Sequence, residues 1–429
     1  MPEQSSTEKR VGNPGDVLSS WAIRVLLLSC ILLFVLLMKA KTAIPRGESR
    51  SSETASQALS NNASPSELFE NGKPGPWGKL EYVRINLEAP DAFIPIETRT
   101  DEKPHWYFRS HSPAELAEFF NHCDLTAAQR NELMNTNSWV IESDGLEVMP
   151  GEELVLGLSR EARTKIYTLL STDPRNQYNV WPFRFRDGRM DEWFEQSGLS
   201  RTTLDLVQSL LYARGSTLCF SDFQLVMSRI PSNDERRRLM KTLTRTAALL
   251  VKLRVDADAD TEALSDYWAK GRRAKDIETL LDSLARVQGG ASVDVIHLLP
   301  PFARKRLNTF SVPSDDPAAG ARDCYWTAMN FFHDPPDDRF MESDNVRNAL
   351  AQSYTRVAQP TFGDLMFLAS PQGESVHAVV YIADDVVFTK NGATGLQPWI
   401  LMKWDDLIAG FPGADSLNVL IFHPIQAME

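Results

Sequence analysis

The sequence predicts an α+β protein with three parts: one N-terminal transmembrane helix, a mostly helical domain, and a C-terminal domain that combines a helix with an antiparallel sheet. An uninterrupted apolar segment near the start predicts the first part. Helix-capping patterns dominate the middle, and short strand-like segments with hairpin turns follow residue 324. The net charge of -12 argues against nucleic acid as a partner.

The apolar segment, residues 21–38, carries Arg24 as its only charge and approaches the roughly 20 residues that span a bilayer. We expect a membrane anchor, with residues 1–20 as a cytoplasmic tail. A cleaved signal peptide is the alternative, but the segment is long and no small-residue cleavage site follows it. Residues 39–76 are rich in Ser, Asn, Glu and Gly, which predicts a flexible linker.

Residues 77–310 are predicted to form the mostly α-helical domain, with a few strands. A strand begins near Trp77, where apolar and polar residues alternate. Ser112 and Ser159 stand at positions that cap helices. The periodic stretch 265–287 predicts one long helix.

Two strand-like segments interrupt these helices: a hairpin with its turn at Asp144-Gly145, and residues 247–260. The second segment ends on Asp256, Asp258 and Asp260, whose carboxylates would share one face of an extended strand. A hard cation could bind there. However, no glycine turn or distant glutamate completes a calcium loop, which favours a solvated acidic strand end.

The four cysteines show no C-x-x-C pair, so neither a zinc site nor a disulfide framework is expected. Cys30, Cys123 and Cys219 lie in apolar surroundings, where a thiol packs as a small hydrophobic group. Cys324 differs from them, because it follows a possible capping residue, Asp323, at the start of a helical pattern. Free N–H groups at a helix N-terminus favour a thiolate and can stabilise an oxyanion.

A loop rich in Pro, Gly, Asp and Ala opens the C-terminal domain, residues 311–429. A nucleophilic thiolate needs an imidazole as its base, and His377 at the head of an apolar strand is the best candidate. A third polar group should orient that imidazole. On the returning strand, either Thr389 or Asn391 could serve.

This order of residues resembles the NlpC-like cell-wall cysteine peptidases, bacterial relatives of papain. The resemblance covers about a quarter of the chain, from Asp323 to Phe422, and it rests on Asp323-Cys324, Gly363-Asp364-Leu365, and His377 leading to Tyr381-Ile382-Ala383. It implies a papain-like fold and hydrolysis of a peptide or amide bond in peptidoglycan without a cofactor or metal. Cys324 would be the nucleophile and His377 the base and then the acid. The family's third position falls on Thr389, whereas Asn391 is the better residue type.

Two pairs of residues depart from the family pattern. Tyr325-Trp326 stand where Ser-Gly is usual, and Ala378-Val379 where Val-Gly is common. Bulky side chains beside the nucleophile could close the substrate cleft.

The apolar segment predicts a single-pass protein with most of the chain outside the inner membrane. The resemblance implies a bacterial envelope, with the chain in the periplasm acting as a cysteine hydrolase on a cell-wall peptide or protein. The alternative is a catalytically silent envelope-binding or scaffolding protein with the same fold. A structural membrane protein with an incidental Cys and His is a third option. No feature indicates the oligomeric state.

Overall fold

The computed structural model describes residues 69–94, 103–186, 194–215, 217–270, 273–312, 322–411 and 416–425. The predicted tail, the apolar segment and most of the linker lie outside these residues. Within the described ranges, no helix is both long and apolar enough to cross a membrane. Helices and antiparallel sheets together confirm the predicted α+β class.

The described strands pair antiparallel in four sheets, ordered β1-β2-β9-β10, β3-β5-β4, β6-β8-β7 and β11-β16-β12-β13-β14-β15. Their bounds are β1 Glu70–Asn71, β2 Lys79–Leu87, β3 Trp106–Arg109, β4 Trp139–Glu142, β5 Gly145–Val148, β6 Phe183–Arg186, β7 Tyr212–Arg214, β8 Thr217–Phe220, β9 Thr246–Val255, β10 Ala291–Asp294, β11 Tyr354–Val357, β12 Leu365–Ala369, β13 Ser375–Ala383, β14 Val386–Lys390, β15 Trp399–Lys403 and β16 Asn418–Pro424.

The described α-helices are short, and most lie between residues 113 and 306. Their bounds are α1 Pro113–Asn121, α2 Ala127–Leu133, α3 Glu152–Leu156, α4 Arg160–Leu170, α5 Gln177–Val180, α6 Arg201–Ser209, α7 Phe223–Arg229, α8 Asn233–Leu243, α9 Thr261–Trp268, α10 Ala274–Ala285, α11 Pro301–Arg306, α12 Cys324–Met329, α13 Ser343–Ser353 and α14 Trp404–Ile408.

Local sequence signals placed several of these elements correctly. Ser112 caps α1 with a full capping box, in which its hydroxyl accepts from the Glu115 N–H and the Glu115 carboxylate accepts from the Ser112 N–H. Ser159 accepts from the Ala162 N–H and starts α4. The hairpin of β4 and β5 forms as predicted, with its turn at residues 143–144, one residue before the predicted Asp144-Gly145 pair. The segment predicted from residue 247 is β9.

The long helix predicted over residues 265–287 is wrong, because the chain breaks it into α9 and α10. Tertiary contacts hold the end of α9: the Tyr267 hydroxyl donates to the Ile382 carbonyl, and the Trp268 indole N–H donates to the Trp77 carbonyl. Gly271, a residue type with low helix propensity, stands in the sequence between the two helices.

The strands that were not predicted include three short ones, β6, β7 and β8. Each has only three or four residues, too few for an alternating pattern to stand out. The one local signal is Gly215, which takes a positive φ of 62° in the turn between β7 and β8.

The acidic end of β9 is used within the fold. Asp256 accepts hydrogen bonds from Lys79 and Arg254, and Asp260 caps α9 by accepting from the Ala263 N–H. In the ranges that the structure covers, no three or more His, Cys, Asp and Glu side chains are grouped to hold a metal ion.

The six-stranded sheet carries the residues predicted to be catalytic, and its two faces are packed differently. Ala378 and Val380 of β13 join a large cluster that includes Trp326 and Met329 of α12. Val379 and Tyr381 join a smaller cluster on the other face. The large cluster also contains Leu80, Leu253 and Phe302 from upstream elements, so the hydrophobic core continues across the domain boundary predicted at residue 311.

Candidate functional site

Cys324 is the first residue of α12, where the sequence predicted it. The Asp323 side chain caps the helix by accepting from the Trp326 N–H at 2.9 Å. Both the thiol and most of the short helix are buried, and Cys324 is only 6% exposed. The capping carboxylate therefore fixes where the helix starts and where the thiol lies.

His377 is the third residue of β13 and is 4% exposed. Because side chains alternate along a strand, its ring lies on the face of Val379 and Tyr381, opposite the face that α12 covers. The ring packs against Phe411, with ring centroids 5.2 Å apart.

A chain of hydrogen bonds runs from the imidazole into β14. His377 Nε2 lies 3.0 Å from Thr389 Oγ1, Thr389 Oγ1 donates to Asn391 Oδ1 at 3.2 Å, and Asn391 Nδ2 donates to the Met402 sulfur at 3.3 Å. Both residues considered for the third position thus belong to one relay, in which Thr389 lies within hydrogen-bond distance of the ring and the Asn391 side chain bonds both Thr389 and His377.

The donor and acceptor roles in this relay determine which ring nitrogen of His377 carries the proton. A hydroxyl has one hydrogen, so a Thr389 hydroxyl that donates to Asn391 must accept from His377. His377 then carries its proton on Nε2, and Nδ1 keeps its lone pair. The unprotonated Nδ1 is the atom that can act as a base.

The Cys324 thiol reaches the strand that carries His377. It interacts with the backbone N–H of Ala378, the next residue along β13. The ladder between β13 and β14 extends only to Val380 opposite Phe388, so the two strands do not pair at Ala378. Among the described contacts, no hydrogen bond joins the thiol to the imidazole.

Burial keeps both groups uncharged. It raises the pKa of the Cys324 thiol to about 12, and the negative charge of Asp323 acts in the same direction. It also lowers the pKa of His377 to about 4, against a smaller opposing effect of the Asn391 side chain. At neutral pH the site therefore holds a neutral thiol and a neutral imidazole in this closed arrangement.

Aromatic residues close the site. The Tyr325 hydroxyl donates to the Ser375 carbonyl at 2.8 Å and lies 3.1 Å from the Ser375 hydroxyl, which ties α12 to the start of β13. Near the ring of His377, the segment bearing Phe411 is held by Arg184 of β6, whose guanidinium donates to the Gly410 carbonyl at 2.6 Å. Tyr325 therefore links the helix that carries the thiol to the strand that carries the imidazole, and closure of a substrate cleft by its bulk stays a prediction.

Asp364 of the Gly-Asp-Leu segment has a structural role. Its buried carboxylate accepts from the Thr361 N–H and lies 2.6 Å from His423 Nδ1. Gly363 has a φ of +87°, and a Cβ there would lie 2.4 Å from the Phe332 ring. A glycine is therefore required before Asp364.

Three residues of the site were not predicted from the sequence: Ser375, Phe411 and Lys390. Lys390 is fully buried at the end of β14, and burial lowers its pKa to about 8. Strand alternation provides the signal that could have found it, because Val386, Phe388 and Lys390 share one face. Phe411 carried no signal, since its contact with His377 depends on how α14 packs.

Comparisons of the chain with protein-family models, with curated proteins and with solved structures found no match.

Proposed function

We propose that this protein is a cysteine hydrolase with a papain-like C-terminal domain, in which Cys324 is the nucleophile and His377 the general base. One observation carries the proposal: the buried relay through Thr389 and Asn391 orients the imidazole and leaves Nδ1 as its basic atom. A buried polar chain is costly unless every member is paired. Orienting a catalytic imidazole is the role that such a chain serves in cysteine and serine hydrolases.

The reaction needs the site to open. Moving a proton from a thiol of pKa about 12 to an imidazole of pKa about 4 costs on the order of 10 kcal/mol. In the closed arrangement, then, the reactive thiolate and imidazolium are rarely formed. Substrate entry or displacement of the aromatic cover would hydrate both groups. The thiol would then reach Nδ1 past the backbone of Ala378, where β13 and β14 do not pair.

Once the site is open, His377 Nδ1 takes the thiol proton and the Cys324 sulfur attacks the carbonyl carbon of the substrate. The tetrahedral oxyanion accepts from the N–H of Cys324. The imidazolium then gives its proton to the leaving amine as the C–N bond breaks, which leaves a thioester. Water, deprotonated by the imidazole, hydrolyses that thioester and restores the thiol.

The resemblance to NlpC-like enzymes supports a peptide or amide bond in peptidoglycan as the target. The apolar segment at residues 21–38 fits this substrate, since an anchor in a bacterial inner membrane would hold the catalytic domain on the periplasmic side, near the cell wall.

Digestion of purified peptidoglycan tests the proposal. The full chain should release soluble muropeptides, Cys324→Ala should release none, and His377→Gln should be at least about 100-fold slower. Cys123→Ala is the matched control, because Cys123 is also buried but lies in the separate cluster beneath α1. Equal product from the wild type and Cys324→Ala would overturn the assignment.

A second candidate is a catalytically silent protein that binds the envelope through the same fold. The neutral, covered thiol and imidazole favour it. It predicts that the wild type sediments with insoluble peptidoglycan yet releases nothing, and that Cys324→Ala sediments equally well.

A further inference from the structure

We propose that Lys390 is a positioning residue of this site: its buried ammonium holds the turn after β14 and so keeps Asn391 against Thr389. The catalytic meaning of this inference rests on the proposed hydrolase function, whereas the positioning itself can be measured without turnover.

Lys390 occupies a costly position. It has no exposed surface, and lysines are almost never fully buried unless they are paired. Its ammonium donates to the carbonyls of Gly392 at 2.5 Å and Thr394 at 2.9 Å, and it lies 5.6 Å from the centre of the Trp399 ring. The charge of Asp323 also stabilises the ammonium. Both hydrogen bonds end on the loop that follows Asn391.

The same residue closes that loop through its backbone. The Gly392 N–H donates to the Lys390 carbonyl at 2.9 Å, so Asn391 stands at the tip of a tight turn whose two ends are bonded to each other. Gly392 has a φ of +130°, which favours glycine. The Lys390 side chain and backbone together therefore determine where the Asn391 amide points.

The position of Asn391 in turn controls His377. If the ammonium is removed, the carbonyls of Gly392 and Thr394 lose a charged donor, and the turn can relax. Asn391 Oδ1 then leaves the Thr389 hydroxyl, which becomes free to donate to the imidazole. The proton of His377 would move from Nε2 to Nδ1 in part of the population, and Nδ1 would no longer be a base.

The test is Lys390→Met, which matches the lysine side chain as far as Cε and removes the ammonium with its charge and donors. The matched control is Lys403→Met on the neighbouring strand, whose ammonium pairs with Asp385 instead. Nitrogen-15 spectra of the histidine rings in the full chain report the tautomer of His377. We expect a single Nε2–H form in the wild type and in Lys403→Met, and a mixture in Lys390→Met.

A double-mutant cycle separates positioning from simple loss of stability. If Lys390 acts through Asn391, adding Lys390→Met to Asn391→Ala should change the tautomer no further. Where the wild type hydrolyses peptidoglycan, kcat of Lys390→Met should fall about tenfold or more, with KM within about twofold. Lys390→Arg, which keeps the charge and N–H donors, should retain the Nε2–H form.

A Lys390→Met protein with a lowered melting temperature and an unchanged Nε2–H tautomer would make Lys390 a structural residue only. If Lys390→Met does not fold, an unchanged tautomer in Asn391→Ala overturns the proposal equally well. Because the spectra need no turnover, an inactive wild type would contradict the hydrolase function and leave this test intact.

Discussion

The side chains at the centre of the site are buried or half-buried polar groups, each of which has a specific partner. Asp323 caps α12, Thr389 links His377 to Asn391, and Lys390 bonds the turn that follows. A buried polar group without a partner costs about 1–3 kcal/mol. These pairings make the closed site a defined structure with predictable responses to single substitutions.

The carboxylate of Asp323 has two separable effects on Cys324, since it caps the helix and its charge raises the pKa of the thiol. Asp323→Asn keeps the capping acceptor and removes the charge, so the pKa of Cys324 should fall. Alkylation by iodoacetamide, followed from pH 7 to 11, should show a rate profile displaced to lower pH. Asp323→Ala should also lose about 1 kcal/mol of stability, because the cap is gone. An identical profile for Asp323→Asn and the wild type would contradict this.

The buried imidazole makes stability depend on pH. The pKa of His377 is lowered from 6.5 to about 4 in the folded chain, so the unfolded state takes up the proton more readily. The contribution of His377 to the free energy of unfolding is fully present above pH 6.5. It declines by up to about 3 kcal/mol as the pH falls towards 4. When urea unfolding is measured at pH 7 and at pH 4.5, the free energy of unfolding should fall less between the two pH values in His377→Gln than in the wild type. An equal loss in both proteins would show that His377 is not buried as a neutral group.

Sequence reasoning at this scale succeeded where the chemistry is local. Asp323 next to Cys324 is a capping pattern, and His377 interrupts an apolar strand. The choice between Thr389 and Asn391 stayed open because the relay depends on the turn after β14, which Lys390 closes through hydrogen bonds that no spacing rule predicts.

At the scale of elements, one hydroxyl joins α12 to the first residue of β13. Tyr325 bonds Ser375, and the Tyr325 ring lies 6.0 Å from that of Phe367 on β12. The helix that carries the thiol is thereby tied to the strand that carries the imidazole.

Tyr325→Phe removes this hydroxyl and keeps the ring. We expect the closed site to open more often, so that iodoacetamide modifies Cys324 several-fold faster in the native state. Tyr381→Phe is the matched control, since the Tyr381 hydroxyl bonds the Asp384 carbonyl at the far end of β13. Equal rates of Cys324 modification in Tyr325→Phe and Tyr381→Phe would show that the Tyr325 hydroxyl does not keep the site closed. Mapping by mass spectrometry distinguishes Cys324 from Cys123 and Cys219.

Element boundaries were predictable where caps and turns mark them, as at Ser112, Ser159 and the Asp144-Gly145 hairpin. They were not predictable where tertiary contacts decide. The break between α9 and α10 depends on Tyr267 and Trp268 reaching distant backbone carbonyls.

At the scale of the whole molecule, one hydrophobic cluster joins β2, β9 and α11 to α12 and the six-stranded sheet. The sequence placed a domain boundary at residue 311 because the loop composition changes there. Composition does not reveal a continuous core, because predicting one requires knowing which apolar faces pack against each other.

This shared core predicts that residues 311–429 do not unfold independently of β9. Heating should give one transition in which tryptophan fluorescence and far-ultraviolet circular dichroism coincide. Tyr267→Phe, which removes the hydroxyl bonded to Ile382, should lower the melting temperature and keep the transition single. Two resolved transitions, one assigned to residues 311–429, would mean that the C-terminal part folds alone.

The central claim is that Cys324 forms a covalent bond to the substrate with His377 as its base. The most direct measurement is acid-quenched mass spectrometry of the full chain after mixing with muropeptides. We predict an acyl adduct on the peptide that contains Cys324, removed by hydroxylamine as a thioester and absent from Cys324→Ala. Muropeptide cleavage by the wild type without any adduct, at a rate that Cys324→Ala leaves unchanged, would contradict the account.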